Sequence, residues 1–258
     1  MKRFSNQHIL ITGAGTGIGQ AIALRLSSEG ATLSLLGRRL ERLQETALRC
    51  TQSGGHATAF ACDVRDGASV ERAVDAAALA HGPLYAAIAN SGTGGPNHPG
   101  AEDRFFDLVQ TNLVGTYHTL RAAQRHLQAG PQARHLLAVS SILARFGVPG
   151  YTGYCASKTG ILGLVRALSL ELAAQNVQVN AICPGWVETE MAWEGIDGMA
   201  HAMGISREQA LATAMQAVPL GRMSKPADIA GMVAWLLSED ARGVTGQGLD
   251  MNGGAWMG

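Results

Sequence analysis

The stretch His8-Ile-Leu-Ile-Thr-Gly-Ala-Gly-Thr-Gly-Ile-Gly19 joins a short apolar run to a turn that is rich in glycine. The run is typical of a buried β-strand, and the periodic apolar residues after it, up to about Gly30, predict an amphipathic helix. Backbone N–H groups and a helix N-terminus at such a turn favour an anion, and a dinucleotide pyrophosphate suits them. The spacing departs from the Gly-x-Gly-x-x-Gly fingerprint, so a flexible turn without a ligand is the alternative. The strand before the turn and the helix after it make that alternative the weaker one.

Strand-like and helix-like patterns alternate about seven times along the chain. Strands are expected at residues 8–13, 31–37, 57–62, 84–89, 135–141, 177–182 and 246–251. This alternation predicts an α/β fold with a doubly wound, parallel, seven-stranded sheet of the Rossmann type, covered by helices on both faces. No repeat or linker interrupts the pattern, so residues 1–258 are expected to form a single domain. Ligands are then expected at the carboxyl ends of the strands.

Composition and charge narrow the class of protein. Hydrophobic residues make up 47% of the 258 residues and charged residues 16%, which fits a globular domain. The 20 basic and 20 acidic residues cancel, so no nucleic-acid partner is expected. We expect neither a membrane span nor a signal peptide, because the apolar runs are short and the first residues lead directly into a strand. The four scattered cysteines predict reduced thiols in a cytoplasmic protein, and the eight histidines lack metal-ligand spacing.

Polar residues follow several of the predicted strands. The second strand ends in Gly37, Arg38 and Arg39. An acidic residue at this position binds ribose hydroxyls, whereas an arginine accepts a 2′-phosphate, so Arg38 favours NADP(H) and NAD(H) stays open. A solvated helix start is the alternative, although arginine is unfavourable there without an anion. Asp63 follows the third strand and either binds the adenine amino group or caps the next helix.

Tyr154 and Lys158 lie four residues apart in a segment that is expected to be helical up to about Leu172. Positions four apart share one helix face. A neighbouring ammonium lowers the pKa of a phenol from about 10 towards the working pH, which suits proton exchange with an alcohol or ketone. The alternative is a tyrosine and a lysine that share a helix face by coincidence.

Two further features belong to the predicted ligand edge or its neighbourhood. Asn112 lies inside a predicted long helix, at about residues 102–127, where an asparagine is unfavourable unless its amide has a binding or bridging role. Residues 190–217 are rich in methionine and also contain Trp193. Such adaptable apolar groups suggest a mobile lid over a hydrophobic substrate, with an interface or an ordinary core helix as the alternative.

The chain resembles the single-domain, Tyr-x-x-x-Lys type of the short-chain dehydrogenase/reductase family over nearly its whole length. The resemblance is carried by Thr12-Gly13-x-x-x-Gly17-x-Gly19, Asp63, Asn112, Ser141, Tyr154-x-x-x-Lys158 and Pro184-Gly185. Two positions depart from the family pattern. Ala89-Asn90-Ser91-Gly92 replaces Asn-Asn-Ala-Gly after the fourth strand, and Asn252-Gly253-Gly254 replaces Asp-Gly-Gly near the C-terminus.

The resemblance implies a role for each matching residue. Tyr154 is then the catalytic acid/base, Lys158 binds the nicotinamide ribose and lowers the tyrosine pKa, Ser141 binds the substrate oxygen, and Asn112 holds a water in a proton relay. The thirteen-residue spacing to Tyr154 selects Ser141 over Ser140. Implied cofactor contacts are Gly13, Thr16, Gly17, Ile18, Gly19, Arg38, Asp63, Val64, Asn90, Gly92, Tyr154, Lys158, Pro184, Gly185, Val187 and Thr189. Implied substrate contacts are Ser141, Tyr154, Met191 and Trp193.

These expectations describe an oxidoreductase that transfers a hydride between NADP(H), or NAD(H), and a ketone or secondary alcohol. A 3-oxoacyl thioester or a bulky hydrophobic ketone fits the apolar segment at residues 190–217. Family resemblance also implies a homotetramer. Two alternatives remain, a non-catalytic dinucleotide sensor on the same fold and a sugar-nucleotide epimerase or dehydratase. Relatives of the second kind carry a longer C-terminal substrate domain than this chain has.

Overall fold

The computed structural model describes residues 2–258. Its strands are β1 (His8–Thr12), β2 (Thr32–Gly37), β3 (His56–Ala61), β4 (Ala86–Ala89), β5 (Arg134–Val139), β6 (Val177–Pro184) and β7 (Gly248–Met251). They form one seven-stranded sheet in the spatial order β3-β2-β1-β4-β5-β6-β7, and every neighbouring pair is parallel. The predicted fold class is therefore confirmed.

Helices cover both faces of the sheet. They are α1 (Gly17–Ser28), α2 (Leu40–Gln52), α3 (Gly67–His81), α4 (Phe105–Val109), α5 (Gly115–Gln124), α6 (Thr152–Leu172), α7 (Glu190–Met203), α8 (Arg207–Gln216) and α9 (Pro226–Leu236). Short 3-10 helices follow β5 (Ile142–Ala144), α6 (Ala173–Gln175) and α9 (Glu239–Ala241).

The residues of β1 show why the first strand reads as a continuous apolar run. Successive side chains of a strand point to opposite faces of the sheet. Ile9 and Ile11 pack into a core that includes residues of α1 and α9, whereas Leu10 packs into a second core with residues of α3, α5 and α6. All three side chains are fully buried, so both faces of the strand need apolar residues.

The helix predicted at 102–127 is interrupted. A π-helical turn, Gln110–Val114, separates α4 from α5, and α5 ends at Gln124. Asn112 lies in this turn and is fully buried. Single π-turns of this kind often occur at functional sites, because the extra residue redirects side chains without ending the helix.

Residues 190–217 form a helical hairpin with a small core of its own. The core consists of Ala192, Ile196, Ala210, Ala214 and Met223. Thr189 caps α7 and Ser206 caps α8, the latter through a reciprocal capping box with Gln209. The segment is therefore built from two stable helices rather than from an irregular loop.

Three further observations concern the described residues as a whole. Among residues 2–258, none of the helices is both long and apolar enough to cross a bilayer. In the same part of the chain, no three His, Cys, Asp or Glu side chains come together in a way that could hold a metal ion. The cysteines Cys50, Cys62, Cys155 and Cys183 are free thiols.

Candidate active site

The glycine turn between β1 and α1 is closely packed and depends on glycine. Gly13 and Gly17 have φ values of 67° and 54°, in the left-handed region that disfavours other residues. A Cβ atom on Gly19 would lie 2.2 Å from the carbonyl oxygen of Gly13 and 2.5 Å from Asn90 Nδ2. Thr16 is the N-cap of α1 and makes no side-chain capping bond, so the first amides of α1 remain available to an anion. These features fit a bound dinucleotide pyrophosphate.

Asn90 holds this turn in place. Its Nδ2 donates to the carbonyl oxygens of Thr12 and Gly13, at 3.0 and 3.1 Å. The backbone amides of Asn90 and Ser91 both donate to Thr12 Oγ1 at 3.1 Å. The Ala-Asn-Ser-Gly departure from the family pattern therefore keeps the asparagine that ties β4 to the turn.

The carboxyl ends of β2 and β3 carry a cluster of charges. Asp63 accepts hydrogen bonds from Arg65, from Nη2 at 2.6 Å and from Nε at 3.1 Å. Arg65, and more weakly Arg38, hold the pKa of the Asp63 carboxyl below its usual value. Asp66 caps α3 by accepting from the amide of Ala68 at 2.9 Å. The interpretation of Asp63 as that helix cap is therefore wrong.

Arg65 is a functional candidate that the sequence analysis missed. It is exposed and lies at the same sheet edge as Arg38. No motif spacing singles out an arginine two residues after Asp63. Only the ion pair between Arg65 and Asp63 in the structure could have identified it. Val64, between the two, is buried in the sheet core, and its carbonyl oxygen lies 3.1 Å from His118 Nδ1.

The residues proposed for catalysis come together after β4 and β5. Lys158 is buried, and its Nζ donates to the carbonyl oxygen of Val139 at 3.0 Å and lies 5.6 Å from the centre of the Tyr154 ring. A Cβ atom on Gly92 would lie 3.1 Å from Asn112 Oδ1 and 3.5 Å from Lys158 Nζ. Gly92 therefore leaves room beside both polar groups.

The two serines after β5 have different surroundings. Ser140 Oγ donates to the carbonyl oxygen of Lys158 at 2.8 Å and is buried, so it supports α6. Ser141 Oγ accepts from the amide of Leu143 at 3.1 Å and also interacts with the Tyr154 hydroxyl, whose pKa it lowers. These contacts support the choice of Ser141, rather than Ser140, as the serine that faces Tyr154.

Both polar atoms of the Asn112 side-chain amide make hydrogen bonds. Its Oδ1 accepts from the amide of Thr93 at 2.8 Å, and its Nδ2 donates to the carbonyl oxygen of Thr93 at 3.0 Å and to Ser157 Oγ at 3.2 Å. Ser157 Oγ in turn donates to the carbonyl oxygen of Tyr154 at 2.8 Å. The side chain of Asn112 thus forms the structural bridge that was one of its two interpretations, and its role in a water relay stays a prediction.

Burial governs the protonation of the central pair. It raises the pKa of the Tyr154 phenol, an effect that the Ser141 hydroxyl only partly offsets. The net shift is therefore upward, opposite to the lowering expected beside Lys158, and the effect of Lys158 on the phenolate stays a prediction. Burial also lowers the pKa of Lys158 itself, to about 8, because a charged ammonium loses hydration in the site.

The segment after β6 contacts the glycine turn from the other side. A Cβ atom on Gly17 would lie 3.1 Å from Thr189 Cγ2, and one on Gly185 would lie 2.9 Å from Asn252 Cα. Pro184 ends β6 and Val187 is buried. Asn252 Oδ1 accepts from the amide of Gly254 at 3.0 Å, so the Asn-Gly-Gly departure forms an ordered turn.

Met191 and Trp193 have different surroundings. A Cβ atom on Gly94 would lie 2.8 Å from Met191 Sδ, so Met191 faces the loop that follows β4. Trp193 packs against the core of the α7–α8 hairpin, and the Arg207 guanidinium lies 5.7 Å from its ring centre. Trp193 thus contributes to the hairpin, and its contact with a substrate stays a prediction.

Comparison with known proteins places this geometry in a family. The family model described as Enoyl-(Acyl carrier protein) reductase matches residues 13–255. A Streptomyces coelicolor protein provisionally named a ketoacyl reductase is 36% identical over 251 residues, which cover 95% of this chain and 95% of that protein. The 3-oxoacyl-(acyl-carrier-protein) reductase MabA of Mycobacterium tuberculosis is 30% identical, over 99% of this chain and 95% of its own.

A solved structure shows the same likeness. The crystal structure of a variant actinorhodin polyketide ketoreductase with NADPH matches with a TM-score of 0.90 and 33% identity, covering 96% of this chain and 97% of that one. The chain belongs to the short-chain dehydrogenase/reductase family. It is an NAD(P)-dependent oxidoreductase of carbonyl and alcohol groups, so the prediction of an enzyme, rather than of a sensor, is confirmed.

Proposed function

We propose that this enzyme reduces the ketone of a 3-oxoacyl thioester, or of another bulky hydrophobic compound, with NADP(H), and that Tyr154 is the proton donor. The observation that carries the proposal is the convergence of Tyr154, Ser141 and Lys158 beside Gly92, at the ligand edge of the sheet. Relatives named as ketoacyl and 3-oxoacyl reductases support this class of substrate.

A bound nicotinamide cofactor would supply the hydride that the carbonyl carbon needs. The hydroxyl groups of Ser141 and Tyr154 hold the carbonyl oxygen, and negative charge that develops there meets donors already in position. Tyr154 then gives its proton to this oxygen, which yields the alcohol. A raised pKa keeps the phenol protonated at neutral pH, as a proton donor requires. The Lys158 ammonium, near the Tyr154 ring, stabilises the phenolate that results.

The cofactor preference follows from the charges at the ends of β2 and β3. Arg65 is paired there with Asp63, so the exposed Arg38 guanidinium supplies the positive charge in surplus. The surplus positive charge favours the 2′-phosphate of NADP(H) over the free hydroxyl of NAD(H). The relative crystallised with NADPH supports this preference.

Three further properties belong to the same proposal. The α7–α8 hairpin is the lid over the substrate, because its Met191 lies against Gly94 of the loop that follows β4. Exposed apolar side chains on α4, α5 and α6, namely Phe106, Tyr117 and Leu170, suit burial in a homotetramer. Free cysteines suit the reducing cytoplasm.

Replacing Tyr154 by phenylalanine tests the catalytic assignment. Tyr154→Phe removes only the hydroxyl, so we expect ketone reduction to fall by about 10²–10⁴-fold, the usual contribution of a proton-transferring group. Binding of NADPH, measured by its fluorescence, should persist. Tyr117→Phe, on the exposed side of α5, is the control and should keep full turnover. Near-normal turnover of Tyr154→Phe would contradict the proposal.

A further inference from the structure

Asn97 is buried in the loop between β4 and α4, and each polar atom of its side chain has a partner. Its side chain is 5% exposed. Its Oδ1 accepts from the amide of Gly153 at 2.8 Å, and its Nδ2 donates to Asp103 Oδ1 at 2.9 Å. Thr152 Oγ1 lies 3.0 Å from Nδ2 and 3.2 Å from Oδ1. A buried amide that is satisfied in this way holds its neighbours in a fixed geometry.

These bonds reach the start of the helix that carries Tyr154. The N-cap of α6, Tyr151, makes no side-chain capping bond. The first amides of a helix need an acceptor from outside the helix. Asn97 supplies one to Gly153, the residue directly before Tyr154, and its own backbone amide donates to the carbonyl oxygen of Gly150 at 2.8 Å.

The same side chain also fixes the loop and the start of α4. Asp103 Oδ1 accepts both from Asn97 Nδ2 and from the amide of Phe105, each at 2.9 Å. The loop is held at its other end by Asn112, which bonds both backbone polar groups of Thr93. Gly94, which contacts Met191, lies between these two attachments.

We propose that Asn97 is a positioning residue for ketone reduction. It holds the Tyr154 end of α6 and the loop between β4 and α4 in a fixed position relative to one another. The inference depends on the proposed role of Tyr154. Asn97 touches neither the reacting atoms nor the glycine turn, so its effect passes through Gly153 to the position of the Tyr154 hydroxyl. Displacement of a reacting group by about 1 Å can lower a rate by 10²-fold.

Replacement of Asn97 should separate catalysis from cofactor binding. We expect Asn97→Ala to lower kcat for ketone reduction by about 10- to 100-fold. Its Kd for NADPH should stay within twofold of wild type, because the glycine turn is untouched. The control is Asn180→Ser. Asn180 is 3% exposed and likewise joins two segments, by donating to Val244 O at 2.8 Å and accepting from the amide of Gln247 at 3.0 Å. The Asn180→Ser variant should have a lower melting temperature and an unchanged kcat.

An exchange of the bonded pair gives a second test that does not depend on the folding of the alanine variant. Asn97→Asp places two carboxylates in contact and should lower kcat. The double variant Asn97→Asp/Asp103→Asn restores a donor and an acceptor between the same positions, and the new carboxylate can still accept from Gly153. We expect kcat of the double variant to be at least tenfold higher than kcat of Asn97→Asp, because roughly one charge-assisted hydrogen bond is restored.

The outcomes separate this inference from the proposed function. An Asn97→Ala enzyme with kcat within twofold of wild type, beside an inactive Tyr154→Phe enzyme, would overturn the inference alone. A double variant Asn97→Asp/Asp103→Asn that recovers no turnover would likewise overturn the inference alone. An active Tyr154→Phe enzyme would overturn the proposed function first. Loss of NADPH binding in Asn97→Ala would show a general structural role and would also overturn the inference.

Discussion

Tyr154 and Lys158 are both affected by burial, which acts on their pKa values in opposite directions. The Tyr154 phenol becomes a weaker acid, whereas the Lys158 ammonium becomes a stronger one with a pKa of about 8. Each shift favours the neutral form, as expected where charged groups lose hydration. The phenol thus stays protonated near neutral pH while most of the lysine remains charged. That combination suits a site that donates a proton to a carbonyl oxygen.

Arg38 offers a direct test of the cofactor preference. We expect Arg38→Ser to raise KM for NADPH by about tenfold, because an arginine–phosphate bond contributes roughly 1.5–3 kcal/mol and Arg65 would retain part of the charge. KM for NADH should change by less than twofold. Steady-state kinetics with both cofactors measure this. Arg72→Ser, an exposed arginine on α3, is the control and should leave both values unchanged. A wild-type preference for NADH would contradict the prediction.

Some residues of the candidate site could be located from the sequence, whereas others could not. Arg38 and Asp63 could be placed at one edge because each follows a parallel strand, and parallel strands end on the same side of a sheet. Arg65 and Asn97 carried no such signal. Their roles depend on partners at positions that no spacing rule connects, such as Gly153 for Asn97. The sign of the Tyr154 shift was also missed, because helix spacing predicts which groups are neighbours but not how deeply they are buried.

Secondary-structure elements were predicted well where the spacing of apolar residues was regular and poorly where that spacing changed. The apolar period could not show the π-turn at Gln110–Val114, since one extra residue shifts the pattern without any glycine or proline. The α7–α8 hairpin was recognised as an apolar segment only. Its two helices are stabilised by contacts between them, around Ile196, which a local pattern does not contain.

Ile196 tests whether the hairpin acts as a lid. The side chain is fully buried in a small core, so Ile196→Ala should cost about 2–5 kcal/mol there and loosen the hairpin more than the sheet. We expect KM for the ketone to rise several-fold and limited proteolysis to cut within residues 190–217. Ile229→Ala, at a buried isoleucine of α9, should lower the melting temperature without changing that KM. Equal KM values and equal proteolysis of both variants would refute the lid.

The whole sheet follows from the alternation of strands and helices together with right-handed crossovers. That rule accounts for the parallel order and for two buried faces, which together place the glycine turn, Asn90 and Ser141 at one edge. Long-range polar contacts are not set by that rule. Arg145, for example, pairs with Asp250 at 3.0 Å and lies 5.0 Å from the Trp256 ring centre, joining the segment after β5 to the C-terminal residues.

Two buried histidines make the stability of the entire fold sensitive to acid. His8 lies 2.8 Å from both Gly82 O and Ser34 Oγ, and His135 lies 3.0 Å from the Tyr85 hydroxyl. Burial lowers the pKa of each imidazole to about 4, from a usual value of 6.5. The unfolded chain therefore binds more protons than the folded one between pH 6.5 and 4. The stability due to each neutral imidazole is complete above pH 6.5 and is lost as the pH falls through 4.

His135→Gln should reduce this acid sensitivity, because the amide can still donate to Tyr85 and cannot titrate. Between pH 7.5 and 5 we expect each buried histidine to contribute about 2 kcal/mol to the fall in the free energy of unfolding. Urea denaturation at both pH values should thus show a fall that is smaller by about 2 kcal/mol in His135→Gln than in wild type. His98→Gln, at an exposed histidine, should keep the wild-type fall. If His135→Gln and wild type lose equal free energy, His135 is protonated in the folded protein at pH 5, and the buried neutral imidazole is contradicted.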